Sequence, residues 1–490
     1  MENSNTQTES LVSVVRGAGF FAIGKLIANI LGFATNLLLT QAMGPTLFGV
    51  YTFARTIIET IGSITNLGTD KATLRFVSVH TDERGSELGL SYLLAITGGT
   101  IGAGGLYVVA PVITDYTLQN TLLTLTLRVL SVLMILQALI VITGNAFRAI
   151  DRPELDTLVK QVIQKVAILA FVALVFVLSL GFTQYLVGIM VAVALTAAVG
   201  LGILTYRTPL KPNLSIKEVN IRSYLFYSLP LSFKDAGSVL YTRIDILLIG
   251  GLLTSSAVGY YQVAILLTTL LTLPLTAINQ IFPTVTSRLH SDENYETMGA
   301  LYKTSTRWVL SGILPAAIGL IVYRNQILTL FGPEFTAASD LLILFTIGQL
   351  SNAVVGPSGY LLMMTDQQLA VTINQWAFGL FNVGLNLLLI SEFGLIGAAL
   401  ATASVLIAIN VARVVEVYYY NRIHPFSRKM LNPIAASIIC CAIMIVAELT
   451  LPPLYGLTIG GAAGVLTYSL TLAIMGMEES DRDLINELRG

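Results

Sequence analysis

Residues 184–206 read QYLVGIMVAVALTAAVGLGILTY, 23 positions without a charged side chain. A bilayer core is ~30 Å thick, so about 20 apolar residues in a helix cross it. The same pattern recurs outward in both directions. Apolar runs alternate with charged or Pro/Gly-rich breaks and predict 14 membrane helices. The first six cover residues 14–39, 48–67, 87–112, 122–147, 157–180 and 184–206. The next six cover 223–253, 258–287, 301–330, 337–364, 367–390 and 394–420, and the last two 429–448 and 454–477.

The composition agrees. Of 490 residues, 54% are hydrophobic and 11% charged, against about 25% charged in a soluble protein. That excludes a soluble multidomain protein and a disordered chain. The 27 basic and 28 acidic residues cancel to −1, so no polybasic footprint for nucleic acid exists. The adjacent Cys440 and Cys441 lie in an apolar run. They supply neither a disulfide framework nor a four-ligand metal site, and no metal or cofactor is expected. The start, MENSNTQTES, lacks the basic region and cleavage site of a signal peptide, so the first helix is expected to be retained.

Lys and Arg set the orientation. The even-numbered connections and the tail hold 16 of them, from Lys71, Arg75 and Arg84 through to Arg482 and Arg489. The odd-numbered side holds one, Arg324. Both termini are therefore expected in the cytoplasm of a cell (plasma) membrane protein. The outer connections are short, as at 254–257, and no P-loop is present, so ATP binding is not expected.

Charges inside spans point to function, because one at the bilayer centre costs ~2.5–3.5 kcal/mol and must face protein or water. Arg16, Lys160, Lys165, Arg307 and Arg413 lie near span ends and are read as snorkelling. Lys25, Arg55, Lys234 and Arg243 lie deeper. In the first helix Ala18, Ala22, Lys25, Asn29, Gly32 and Asn36 fall on one stripe. In the second, Thr52, Arg55, Glu59, Gly62 and Asn66 do the same, with Arg55 and Glu59 spaced to neutralise each other. Lys234, Tyr241 and Asp245 share one face of the seventh helix, while Asp235 and Arg243 lie on others. The eighth carries a stripe that includes Asn279 and Gln280, and the eleventh carries Asn382 and Asn386. Helix packing accounts for these last two stripes equally well. The first, second and seventh helices together predict a hydrophilic cavity with positive bias, suited to a phosphate.

A shift of 210 residues superposes Leu37, Leu38, Gly49, Tyr51 and Ala54 on Leu247, Leu248, Gly259, Tyr261 and Ala264. Six spans separate the copies, which makes them parallel repeats.

The run LLLTQAMGPTLFGVYTFA (37–54) resembles the first outer turn of the polysaccharide and lipid-linked oligosaccharide flippases. These belong to the multidrug/oligosaccharidyl-lipid/polysaccharide exporter superfamily. NLGTDKATLRFV (66–77), FRAIDRPELD (147–156), the segment 227–253, LFGPEFTAASDLL (330–342) and GLIGAALATA (394–403) are similar in style. The resemblance implies an all-α polytopic membrane protein: two six-helix bundles, 1–206 and 207–420, form a V around a cavity, and 421–490 adds a helix pair and tail. It implies a non-enzymatic flippase carrying a polyprenyl (undecaprenyl or dolichyl) phosphate- or diphosphate-linked saccharide outward, for surface polysaccharide or glycoprotein assembly. Lys25 and Arg55 would take the place of the family's substrate-contacting basic residues. Membrane lipids, and glycosyltransferases or a polymerase of the same pathway, are the implied partners; nucleic acid is not. Two alternatives are an ion-coupled drug or metabolite antiporter of the same superfamily and a membrane glycosyltransferase or polymerase. The absence of a carboxylate between Arg16 and Gly44 disfavours the first. The first outer turn, QAMGPTL, offers no carboxylate and no large outer loop exists, which disfavours the second.

Overall fold

The structure is a computed structural model. It describes residues 2–475 except 81, 214 and 216–218, and side chains except those of 2–26 and 233–242. Among the described residues there are helices and no strands. This is what a bilayer demands of a non-barrel chain, since every backbone donor must be satisfied within its own segment.

The first unit, Met1–Gly259, contains α1 (Glu2–Thr65), α2 (Thr69–Val79) and α3 (Arg84–Tyr116). It continues with α4 (Thr121–Ala149), α5 (Pro153–Val177), α6 (Phe182–Arg207) and α7 (Ile221–Leu252). The next helix, α8 (Ser255–Ser291), contributes its first turn to this unit. The second unit, Tyr260–Gly490, holds the rest of α8, then α9 (Tyr295–Val322), α10 (Pro333–Val355) and α11 (Gln368–Asn421). It ends with α12 (Arg428–Thr450) and α13 (Pro453–Ile474).

Among the described residues, eleven stretches are long and apolar enough to cross a membrane. The two longest, Ile27–Thr65 with 39 residues and Gln368–Asn421 with 54, have nearly twice or more the ~20 residues that ~30 Å of hydrocarbon requires. Each is broken by a glycine in a conformation closed to L side chains: Gly44 (φ 62, ψ 178) and Gly394 (φ 57, ψ −133). Pro45 follows Gly44 and cannot donate to the preceding turn. The breaks fall where the paired spans expected from the sequence adjoin, at 39–48 and 390–394.

Packing in the first unit is close because small residues let backbones approach. α1 packs on α4, α5 and α7, and α3 packs on α4. A Cβ on Gly49 would run into the Ser255 carbonyl, and one on Gly98 into that of Thr65. In the second unit α10 packs on α11, and α9 packs on α10 and α12. There Tyr323, Ala436, Cys440, Met444 and Tyr468 form a buried cluster. The Tyr323 and Tyr468 hydroxyls donate to the Met444 and Ser311 carbonyls, each at 3.0 Å. Both cysteines are free and Cys440 is buried. Large apolar side chains such as Ile101, Val108 and Leu388 point outward, as they do where the solvent is lipid.

Candidate functional site

A cavity of about 460 Å³ lies inside the first unit, walled by α1, α2, α4, α5 and α6. The first half of α1 presents Gly32, Thr35, Asn36 and Leu39, and its second half Tyr51, Arg55, Glu59, Gly62 and Asn66. Both sets recur at three and four residues, so each is one face of a helix. α4 adds Gln137, α5 adds Gln164 and Lys165, and α2 adds Asp70. Apolar residues, among them Leu133, Ile168, Ile189 and Val193, fill in between.

The polar groups are organised by hydrogen bonds. Arg55 Nε donates to Glu59 Oε1 at 2.7 Å, and the other Glu59 oxygen lies 3.9 Å from an Arg243 nitrogen. Glu59 thus stands between one guanidinium of α1 and another of α7. The Arg55 side chain is 50% exposed, which in a membrane helix means open to the cavity. Gln164 Nε2 donates to Gln137 Oε1 at 3.1 Å, joining α5 to α4. Asn36 Nδ2 donates to the Gly32 carbonyl at 2.8 Å. The lining offers several donors and acceptors, so it can hold a polar group that hydrocarbon would reject.

Of the residues singled out from the sequence, the structure brings Asn36, Arg55 and Glu59 to this cavity and sets Arg243 against Glu59. Asn29 is half-buried beside it and does not line it. Asp245 is buried in α7, where its carboxylate accepts from the Ile246 amide at 2.8 Å. Asn279 and Gln280 are on α8, in the second unit; Asn279 is half-buried and Gln280 exposed. Lys25, Lys234, Asp235 and Tyr241 lie outside the described side chains. Asn382 and Asn386 are buried, and Asn386 donates to the Asn382 side chain at 2.7 Å within the same helix. The described charges lining the cavity balance, Arg55 and Lys165 against Glu59 and Asp70, so the positive bias expected is not present among them.

Two lysines differ from the snorkelling expected of them. Lys160 is paired with the buried Asp156 at 2.8 Å, and Arg148 reaches the same carboxylate. Lys165 lines the cavity. The Lys160–Asp156 pair is an ordinary i,i+4 contact; Lys165 follows Leu158–Ile163, which is π-helical, and a π turn departs from α-helical spacing. Gln164 and Lys165 come directly after it. Nothing in the residue pattern of 157–180 marks that departure.

Apolar helices of this length around a polar cavity define the class: a multi-pass membrane protein. The chain belongs to the polysaccharide biosynthesis protein family, which matches residues 14–289, more than half its length. The MatE family matches 230–388. The chain is 32% identical over 189 residues to the probable low-salt glycan biosynthesis flippase Agl15 of Haloferax volcanii. That stretch is 38% of this chain and 39% of the relative. It is 29% identical over 172 residues to the probable flippase AglR of the same organism, 33% of this chain and 35% of that one. The chain thus matches well under half the length of either relative. Among solved structures it resembles the lipid II flippase MurJ in an inward closed conformation, with TM-score 0.76 and 18% identity. That likeness covers 95% of this chain and 99% of MurJ. The likeness to MurJ shows a shared fold.

Proposed function

We propose that the protein is a flippase that moves a polyprenyl-phosphate- or diphosphate-linked saccharide from the cytoplasmic to the outer leaflet of the cell membrane. The observation that carries this is the cavity among membrane helices, where Arg55, Lys165, Gln137 and Gln164 offer donors inside apolar walls. A glycan headgroup cannot cross hydrocarbon unaided, since each unpaired polar group costs several kcal/mol there. Its lipid tail needs no such shelter. A volume of about 460 Å³ is in the range of sites for small organic groups, roughly 300–1,000 Å³. The names of the Haloferax relatives support the substrate class.

The topology that goes with this reading has 14 crossings and cytoplasmic termini. Dividing two of the eleven apolar stretches at Gly44 and Gly394, and adding Ile221–Leu252, gives that count. Two six-helix bundles, 1–206 and 207–420, followed by a helix pair, accommodate it.

The membrane potential is the proposed driving force. A doubly charged diphosphate leaving a negative interior gains about 4.6 kcal/mol at 100 mV. Proteoliposomes carrying a labelled lipid-linked saccharide test both claims. Accessibility of the label to an external glycan-modifying enzyme should rise with the protein present and rise further with an imposed potential. No protein-dependent flipping would reject the function. The second reading, an ion-coupled antiporter, draws on the Glu59 and Asp70 carboxylates in the cavity. Flipping that ignores the potential and follows a pH or sodium step would favour that coupling.

A further inference from the structure

Three titratable side chains cluster away from the cavity, where α2 ends and α3 begins. His80 is the residue that closes α2. Glu83 precedes α3, and Glu87 lies in its first turn. The corner is held by backbone bonds: the Glu83 amide donates to the His80 carbonyl at 3.2 Å, and Arg84 Nε to the Val77 carbonyl at 3.0 Å. One ligand atom from each of His80, Glu83 and Glu87 lies within 4.8 Å of the other two.

Glu87 is what makes the cluster more than a charged corner. Its side chain is 3% exposed. One carboxylate oxygen meets His80 Nδ1 at 3.0 Å; the other, Oε2, is buried with no hydrogen-bond partner. A buried carboxylate oxygen without a donor is costly, and a bound cation offsets that cost. The donor set narrows the cation. An imidazole nitrogen with carboxylate oxygens suits Zn²⁺ and its borderline neighbours, while Mg²⁺ and Ca²⁺ prefer all-oxygen sites. The 3.0 Å between nitrogen and oxygen is near the ~3.3 Å edge of a tetrahedron with zinc–ligand bonds of about 2.0–2.1 Å.

We propose that His80, Glu83 and Glu87 bind one divalent transition-metal ion, Zn²⁺ by preference, which fastens the end of α2 to the start of α3. His80 is 43% exposed, so a water can complete the tetrahedron from the solvent side. His80 also borders a second cavity, about 630 Å³, with Arg75 and Tyr227. A metal here would stiffen that cavity's rim. The site stands independently of the flippase reading.

The test uses tag-free, full-length protein in detergent, stripped with EDTA and titrated with Zn²⁺ and with Co²⁺. One Zn²⁺ per chain is expected, and Co²⁺ should give the visible bands of a tetrahedral site that Zn²⁺ bleaches. His80→Ala and Glu87→Gln should each weaken binding by at least ~10-fold, while His424→Ala leaves it unchanged. Should Glu87→Gln fail to fold, the half-exposed His80→Ala decides. Absence of stoichiometric binding, or undiminished binding by monodisperse His80→Ala protein, would overturn the proposal.

Discussion

The hydroxyls of Thr46 and Ser256 hydrogen-bond at 2.8 Å, and the two residues are 210 positions apart, the period of the internal repeat. The contact is reciprocal. Gly49 is closed in by the Ser255 carbonyl, and its counterpart Gly259 by the carbonyl of Pro45, itself the counterpart of Ser255. Equivalent turns of the two repeats therefore meet as like surfaces about a local two-fold axis, the arrangement of a symmetric dimer interface within one chain.

In a Cys440→Ala, Cys441→Ala background, Thr46→Cys with Ser256→Cys should form a disulfide under mild oxidation. The hydroxyl separation is compatible with a Cβ–Cβ distance of about 3.5–4.5 Å. A gel-mobility shift absent from either single cysteine is the readout. If these turns part during transport, the oxidised protein should stop flipping and resume on reduction.

Gly49→Val should lower thermal stability, because the added carbons meet backbone; overpacking of this kind costs about 1–3 kcal/mol. Gly32→Ala should not, since nothing lies within 4 Å of a Cβ there. Thermal melts in detergent compare the two.

Glu59→Gln should alter transport far more than stability. Its ion pair with Arg55 is half-open, at 50% and 38% side-chain exposure, and such a pair is worth about 1 kcal/mol or less. The substitution leaves Arg55 and Arg243 without their shared counter-charge. Tighter retention of an anionic lipid and slower release are expected in a binding assay paired with flipping.

Lys165→Met should reduce flipping at normal membrane yield. Lys160→Met should do the reverse and cost about 1–3 kcal/mol of stability, because Asp156, 3% exposed, loses one of its two cationic partners. Equal effects in both assays would refute the separation of roles.

Topology reporters at Thr254 and Lys217 should lie on opposite sides, outside and inside respectively. A shared side would contradict 14 crossings.

The fold was legible in the apolar runs, because a bilayer permits little else once charges are this sparse. The break at Gly44 falls in the gap expected between residues 39 and 48, and that at Gly394 on the first residue of the span expected at 394–420. The site was legible only where polarity repeats along one helix, as in Asn36, Arg55 and Glu59. Gln137 is an isolated polar residue in the middle of an apolar stretch, and one residue sets no period; Lys165 sits in a polar cluster with Lys160, Gln161 and Gln164 at the start of its span, which reads as a span end. A π turn precedes Gln164 as well, and such turns have no residue signature. Asp245, on the stripe of the seventh span, is buried, and its carboxylate accepts from the Ile246 amide.

Gly44 is the one residue of Ile27–Thr65 with non-helical torsions. A joint that short has no slack. A tilt of the helix before it that left the Gly44 torsions fixed would be passed to the helix after it as by a crank, carrying Asn36 and Arg55 together. Inserting a few flexible residues beside Gly44 would uncouple the two arms without touching a single polar group in the cavity.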